Sequence, residues 1–246
     1  MRRARVQFLS AVVCPHILEV GGGRGGDLGV WARHPVVRLV DVVDPDPVAL
    51  HEYARRLRVT YHGEGDDLHM RLPDGRLFRF HVARAEDLSD LPGVGQGSQL
   101  AVLSFSASQI ITSTSKAALV WRVLLGRVHR IAITAHDHLV AGLPDPDHPH
   151  GVTCRVVHPT GCSTHPIVCV CSDGDGQAAR LHTRIVGSTM ADGITENAFS
   201  VAAHILAPAK QLGALVRLER ACSGDSVRHH WLLRSLVFAT IERAEG

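Results

Sequence analysis

Short apolar runs punctuate the first half of the chain. Ile17–Val20 is one, interrupted by Glu19, and Val36–Val43, Arg76–Ala83, Leu100–Phe105 and Val128–Thr134 follow. Their length, and the Gly, Pro and Asp residues that bound them, predict strands. Between them apolar residues recur at helical spacing. Ala49, Leu50, Tyr53, Ala54 and Leu57 form one stripe, and Ala117, Leu119, Val120, Val123 and Leu124 another, which predicts helices after the second and fourth strands. Asp27–Arg33 reads as a shorter helix after the first. Pro47 suits a first helical turn, and Asp46 can cap it.

The second half changes character. Gly142–Gly151 is a proline-rich connector. Val152–Val157, His165–Cys171 and Gln177–Val186 then read as extended, split by turns at Pro159–Gly161 and Asp173–Gly176. Thr189–Glu196 reads as an irregular polar loop. Phe199–Leu212 mixes a short strand with a helix broken by Pro208, and Ala214–Glu219 with Leu236–Glu242 reads as a closing antiparallel pair. The whole chain, 1–246, is thus predicted to be one α/β domain. It is doubly wound and mostly parallel, with an antiparallel carboxyl-terminal edge and a β-rich insertion or lid at 142–196. Only about fifteen residues precede the first strand. A helix covering the edge of the cleft is therefore expected to be missing or very short. A partner protein, or the remainder of a longer chain, is expected to complete the cleft.

Chemistry concentrates at the end of the first strand. Gly21 to Gly26 holds five glycines in six positions. A strand, a glycine-rich turn and a helix form the mouth of a doubly wound sheet, where a ligand lies against bare backbone. The turn does not distinguish a dinucleotide from a methyl donor. Asp44 closes the second strand, where a carboxylate can accept both hydroxyls of a ribose; helix capping is the alternative role for Asp44 or Asp46. Ala85-Glu86-Asp87 follows the third strand and edges the adenine end of such a site.

Composition narrows the options. The 246 residues are 45% apolar, enough for one substantial core, and the net charge of +2 gives no strong field toward nucleic acid. Lysine occurs only at 116 and 210, against twenty-four arginines; arginine suits phosphate contacts, but biased coding is the favoured cause. Neither lysine reads as sitting at a core strand end. The seventeen histidines and six cysteines show no zinc spacing, so no metal site is expected. No run is long enough to span a bilayer, and the apolar residues after Arg2, Arg3 and Arg5 flow into the first strand, so an intracellular protein, cytoplasmic, viral or organellar, is expected. Tyrosines at 53 and 61 alone count against an NAD-dependent oxidoreductase.

The opening motif carries a family resemblance. Ile17-Leu18-Glu19-Val20-Gly21-Gly22-Gly23-Arg24-Gly25-Gly26-Asp27-Leu28, with Trp31 beyond, is similar to the Val-Leu-Asp-Leu-Gly-Cys-Gly-Lys-Gly-Gly-Asp-Leu of mRNA cap guanine-N7 methyltransferases, nearest the poxvirus-type capping enzymes. Weaker matches follow at Asp44 to Arg56, Phe78 to Asp87, Ile131 to Asp137 and Gly187-Ser-Thr-Met190 to Glu196. The resemblance implies a class I S-adenosylmethionine-dependent fold that transfers methyl to N7 of a capped RNA. It implies that S-adenosylmethionine meets Glu19, Gly21, Gly23, Arg24, Asp44, Glu86, Ser104 and Ser106, and that Asp27, Trp31, Ile110 and Glu196 face the RNA cap. Arg33, Arg38 or Arg56 could meet its phosphates. No general base is implied, since guanine N7 is already nucleophilic, and the Lys-Asp-Lys-Glu set of ribose methyltransferases is not evident. Where the family has Gln-Phe and His-Tyr, this chain has Ser106-Ala107 and Ile110-Ile111, and Asn197 replaces a Tyr. An inactive methyltransferase-like subunit with a structural or RNA-binding role in a larger assembly is the alternative.

Overall fold

The computed structural model describes residues 2–111, 113–136, 200–220 and 236–244, and the backbone of four strands between 155 and 197. The predicted runs become strands β1 (His16–Val20), β2 (Leu39–Asp44), β5 (Leu77–Val82), β6 (Leu100–Ser104) and β7 (Arg130–His136). β3 (Glu64–Gly65) and β4 (His69–Arg71) add a small hairpin. Together with β12 (Leu215–Arg220) and β13 (Leu236–Glu242) they form one sheet of order β12-β13-β7-β6-β1-β2-β5-β4-β3. The five central strands, β5-β2-β1-β6-β7, are parallel, and β13, β12, β4 and β3 are antiparallel to their neighbours. The chain winds outward from β1 to β2 and β5, then returns to β6 and β7. The winding reverses between β1 and β6, which opens a crevice at the carboxyl ends of those strands.

Helices α1 (Arg2–Val12), α2 (Leu28–Trp31) and α3 (Pro47–Tyr61) cover one face of this sheet, and α4 (Ala107–Ile110), α5 (Thr114–Leu125) and α6 (Ala207–Gln211) cover the other. The apolar stripes read from the sequence face these two cores, except for Leu119, which is exposed. Leu50, Tyr53, Ala54 and Leu57 pack against Val40, Val42 and Phe78, and Ala117, Val120, Trp121 and Leu124 against Leu103, Ile131 and Ile133. Asp46 accepts from the Val48 N–H and caps α3, and Ser113 accepts from the Lys116 N–H and caps α5.

Four expectations change. The helix before β1 is present: α1 buries Leu9 completely and stacks Phe8 on Phe238, with ring centroids 4.9 Å apart. Pro208 does not break the carboxyl-terminal helix. A π-helical segment, Ala202–Leu206, runs straight into α6. Proline lacks the N–H that would bond the carbonyl of His204, and the Trp121 indole N–H donates to that carbonyl instead, at 2.7 Å. The expected short strand is likewise replaced by helix over residues 201–211. Finally, the polar loop ending at Glu196 contains strand β11 (Ile194–Asn197). β11 joins β8 (Arg155–Val157), β9 (Ile167–Ser172) and β10 (Ala179–Arg184) in an antiparallel sheet of order β11-β10-β9-β8. The connector 142–151 and the two turns expected at 159–161 and 173–176 lie outside the described residues.

Candidate functional site

The crevice where the winding reverses holds a cavity of about 280 Å³, near the lower end for small-molecule sites. Val20 and Gly21 at the end of β1, Val43, Asp44 and Pro45 at the end of β2, and Ala83 to Glu86 after β5 form one side. Ser106, Gln109, Ile110 and Lys116 after β6 close it. Of the candidate site residues, Gly21, Asp44, Glu86, Ser106 and Ile110 line this one cavity.

The turn is built for close backbone approach. Gly21 has φ +70°, and a Cβ on it would lie 2.3 Å from the Ser106 Cβ. Neither condition admits a side chain. Gly23 has φ +51° and open space around its missing Cβ. Its N–H donates to Asp44 Oδ2 at 2.8 Å, while Asp44 Oδ1 accepts from the Asp46 N–H at 2.9 Å. Each carboxylate oxygen thus has one backbone donor and a further lone pair for a hydroxyl. The two candidate roles of the acidic pair divide cleanly: Asp46 caps α3 and Asp44 lines the cavity. The Ser106 hydroxyl donates to the Val20 carbonyl at 2.6 Å, tying the end of β6 to the end of β1.

Behind the turn lies a buried acidic pair. Glu19 is 3% exposed and accepts from the Tyr53 hydroxyl at 2.8 Å. Burial, aided by the Asp27 carboxylate, pushes the Glu19 carboxyl up to about 8 against the opposing Tyr53 hydrogen bond and Arg5 charge. Burial also raises Asp27, partly offset by Arg5. That guanidinium comes from α1. Its Nε lies 3.1 Å from Asp27 Oδ1, and its carbon is 5.4 Å from the centre of the Phe105 ring. Phe105 follows β6 with φ +60°, a strained conformation for a side-chain-bearing residue. Arg5 and Phe105 were not singled out from the sequence. Arg5 reaches the turn through tertiary packing, and nothing local in the sequence marks the strain at Phe105.

Other expected site residues go elsewhere. Trp31 is fully buried in the core under β1 and β2, so it cannot face an RNA cap. Asp27 is occupied by Arg5 and buried, not presented to the cavity. Arg24 is exposed and does not line the cavity. The Ser104 hydroxyl is buried beside Asp27. The side chain of Glu196 lies outside the described residues, though the backbone of β11 runs close to α4. The three arginines considered for phosphate are engaged locally: Arg56 donates to the carbonyls of Arg24 and Gly25, Arg38 to those of Pro35 and Val37, and Arg33 to the Tyr61 hydroxyl.

Lys116, in the first turn of α5 and not at a strand end, stands in the cavity wall, and its ammonium donates to Glu86 Oε1. Burial works to raise Glu86, but the Lys116 hydrogen bond, backbone N–H and nearby cationic charge outweigh it and hold the carboxyl below its usual range.

No family model and no curated protein matches the sequence. Solved structures do match in shape. The CcbJ methyltransferase from Streptomyces caelestis superposes with a TM-score of 0.66 at 13% identity, over 98% of this chain and 94% of that one. An S-adenosylmethionine-dependent methyltransferase from Clostridium acetobutylicum gives 0.60 at 8% identity, over 98% and 91%. The fold is that of the class I S-adenosylmethionine-dependent methyltransferases. The methyltransferase domain of a bacterial Hen1 shares it, with a TM-score of 0.58 at 11% identity over 98% of both chains. At these identities the likeness establishes the methyltransferase fold. The site residues fit an adenosyl donor on their own chemistry: a bare turn, an acceptor-only carboxylate at the end of β2 and a cavity between them. Among the described residues no helix is long and apolar enough to cross a membrane, and no group of three or more His, Cys, Asp or Glu could hold a metal ion.

Proposed function

We propose that this protein transfers a methyl group from S-adenosylmethionine, and that its acceptor is guanine N7 of an mRNA 5′ cap. The observation that carries the donor half is the cavity at the winding reversal, which brings the side-chain-free turn at Gly21 and the Asp44 carboxylate to one wall. When bound, the donor supplies a methyl group made electrophilic by its sulfonium. Gly21 and Gly23 keep backbone against it, Asp44 accepts its ribose hydroxyls, and Ala85 and Glu86 flank its base. Glu19, held largely protonated by burial, and Asp27, paired with Arg5, back the turn from beneath without presenting net charge to the donor.

The acceptor half rests on the opening motif and on the character of the cavity's far end. There the described lining side chains Ser106, Gln109 and Ile110 are neutral, and the cation on the same side, Lys116, is paired with Glu86. An acceptor atom with its own lone pair needs orientation rather than a base. The second sheet and Glu196 are assigned the role of closing over the guanine, with β11 beside α4.

Two measurements test this. Calorimetry with S-adenosylhomocysteine should show binding to the wild type and roughly tenfold or greater weakening in Asp44→Asn, the loss of a hydrogen bond to a charged acceptor. Methyl transfer from labelled donor should appear with guanosine-capped RNA and not with uncapped RNA of the same sequence. Absence of binding refutes the donor reading. Binding without transfer to capped RNA refutes the acceptor reading and favours the inactive-subunit alternative.

A further inference from the structure

The cavity has two walls that the chain reaches at different times. Glu86 belongs to a 3-10 turn, Ala85–Asp90, that follows β5, and Lys116 belongs to the first turn of α5, after β6. These lie on opposite sides of the crevice. α5 is a firm platform: Ala117, Val120, Trp121 and Leu124 are fully buried beneath it, and the Ser113 side chain caps the Lys116 N–H at 3.1 Å. The 3-10 turn is anchored by Ala85 and Leu88, while Glu86 extends into the cavity wall. The Lys116 ammonium crosses from the platform to Glu86 Oε1, with both side chains partly shielded, at 31% and 18% exposure. A partly solvated ion pair of this type contributes modestly to folding. Its position on a cavity wall suggests another use.

We propose that Lys116 is a positioning residue of the donor site, a strap that fixes the Glu86 carboxylate, ionised, on the wall that meets the donor's base. This rests on the donor half of the function proposed above. The groups that face Glu86 are Lys116 and Arg84, both cationic, with Asp44 on the same cavity. Without Lys116, burial acts on Glu86 against Arg84 and backbone alone, so its carboxyl moves up and takes a proton more readily as pH falls. A strap of this kind therefore leaves a pH signature that a merely structural lysine would not.

The test is calorimetry of the intact chain with S-adenosylhomocysteine, near pH 7.5 and again near pH 5.5. Lys116→Met should raise Kd about tenfold at the higher pH, the scale of one charge-assisted hydrogen bond. It should raise Kd further at the lower pH, where the wild type stays nearly flat. Lys116→Arg should recover most of the affinity. Glu86→Gln should weaken binding to a similar degree, and the double variant should be no worse than the worse single one, because the two residues act as a unit. Wild-type Kd values in folded Lys116→Met at both pH values, or additive losses in the double variant, overturn the proposal. If Lys116→Met does not fold, Lys116→Gln and Glu86→Gln carry the same comparison. A wild type that gives no binding heat overturns the donor reading itself, whereas a binding wild type with an indifferent Lys116→Met removes only the strap.

Discussion

Replacing Asp41 by asparagine should destabilise the fold by about 3 kcal/mol, at the low end of what breaking a buried ion pair costs. Asp41 sits on β2 with its side chain completely buried. Five donors converge on it. Arg79 gives two bonds of 2.6 Å, His81 Nε2 one of 2.9 Å, His16 Nε2 one of 3.0 Å, and the Gly95 N–H one of 3.2 Å. An amide offers one oxygen, with two lone pairs, and turns its NH₂ toward donors that it cannot serve. The cost falls at the low end because the side chains of Arg79, His81 and His16 are 27%, 22% and 18% exposed and can recover some hydration. Burial acts to raise the Asp41 carboxyl, but the hydrogen bonds from His16, His81 and Arg79 and the Arg79 charge overcome it and hold the group far below the carboxylate range. Its folded state thus gives up the proton more readily than the unfolded chain. The stability it contributes is complete above the unfolded value of about 3.9 and is lost as pH falls from there toward the depressed folded value. Urea denaturation followed by circular dichroism gives both quantities. The gap between wild type and Asp41→Asn should be constant from neutral pH down to about 5 and shrink below about 4. A gap under about 0.5 kcal/mol, the range of ordinary surface changes, or a gap that widens on acidification, would refute the reasoning.

Two further outcomes follow from the turn. Gly21→Ala should lose at least about 1–2 kcal/mol from its left-handed backbone alone, more from the Ser106 collision, and should lose S-adenosylhomocysteine binding; an unchanged melting temperature would contradict it. Glu19 titrates the opposite way from Asp41: its folded value, about 8, lies above the unfolded one, so wild-type stability declines as pH rises from about 4.3 toward 8. Glu19→Gln keeps an oxygen for the Tyr53 hydroxyl and should therefore gain on the wild type across that window in thermal melts. A stability gap that does not change with pH would count against it.

The sequence by itself determined the elements and the mouth of the site. Buried parallel strands must be apolar runs, helices that cover them must carry a stripe, and a turn at φ +70° must be glycine. Those are local constraints, written in neighbouring residues. Asp44 was legible for the same reason, since a strand end followed by a capped proline helix places it. Tertiary structure alone decided what depends on residues far apart in the chain. Trp31 and Asp27 sit in the same motif as Gly21, yet helix α2 turns one into the core and leaves the other to Arg5, twenty-two positions earlier. Lys116 looked like an ordinary helix residue until β6 brought α5 to the crevice opposite Glu86. Pro208 reads as a helix breaker because its missing N–H is visible in the sequence. The indole of Trp121, which satisfies the carbonyl left over, is visible only once the chain has folded.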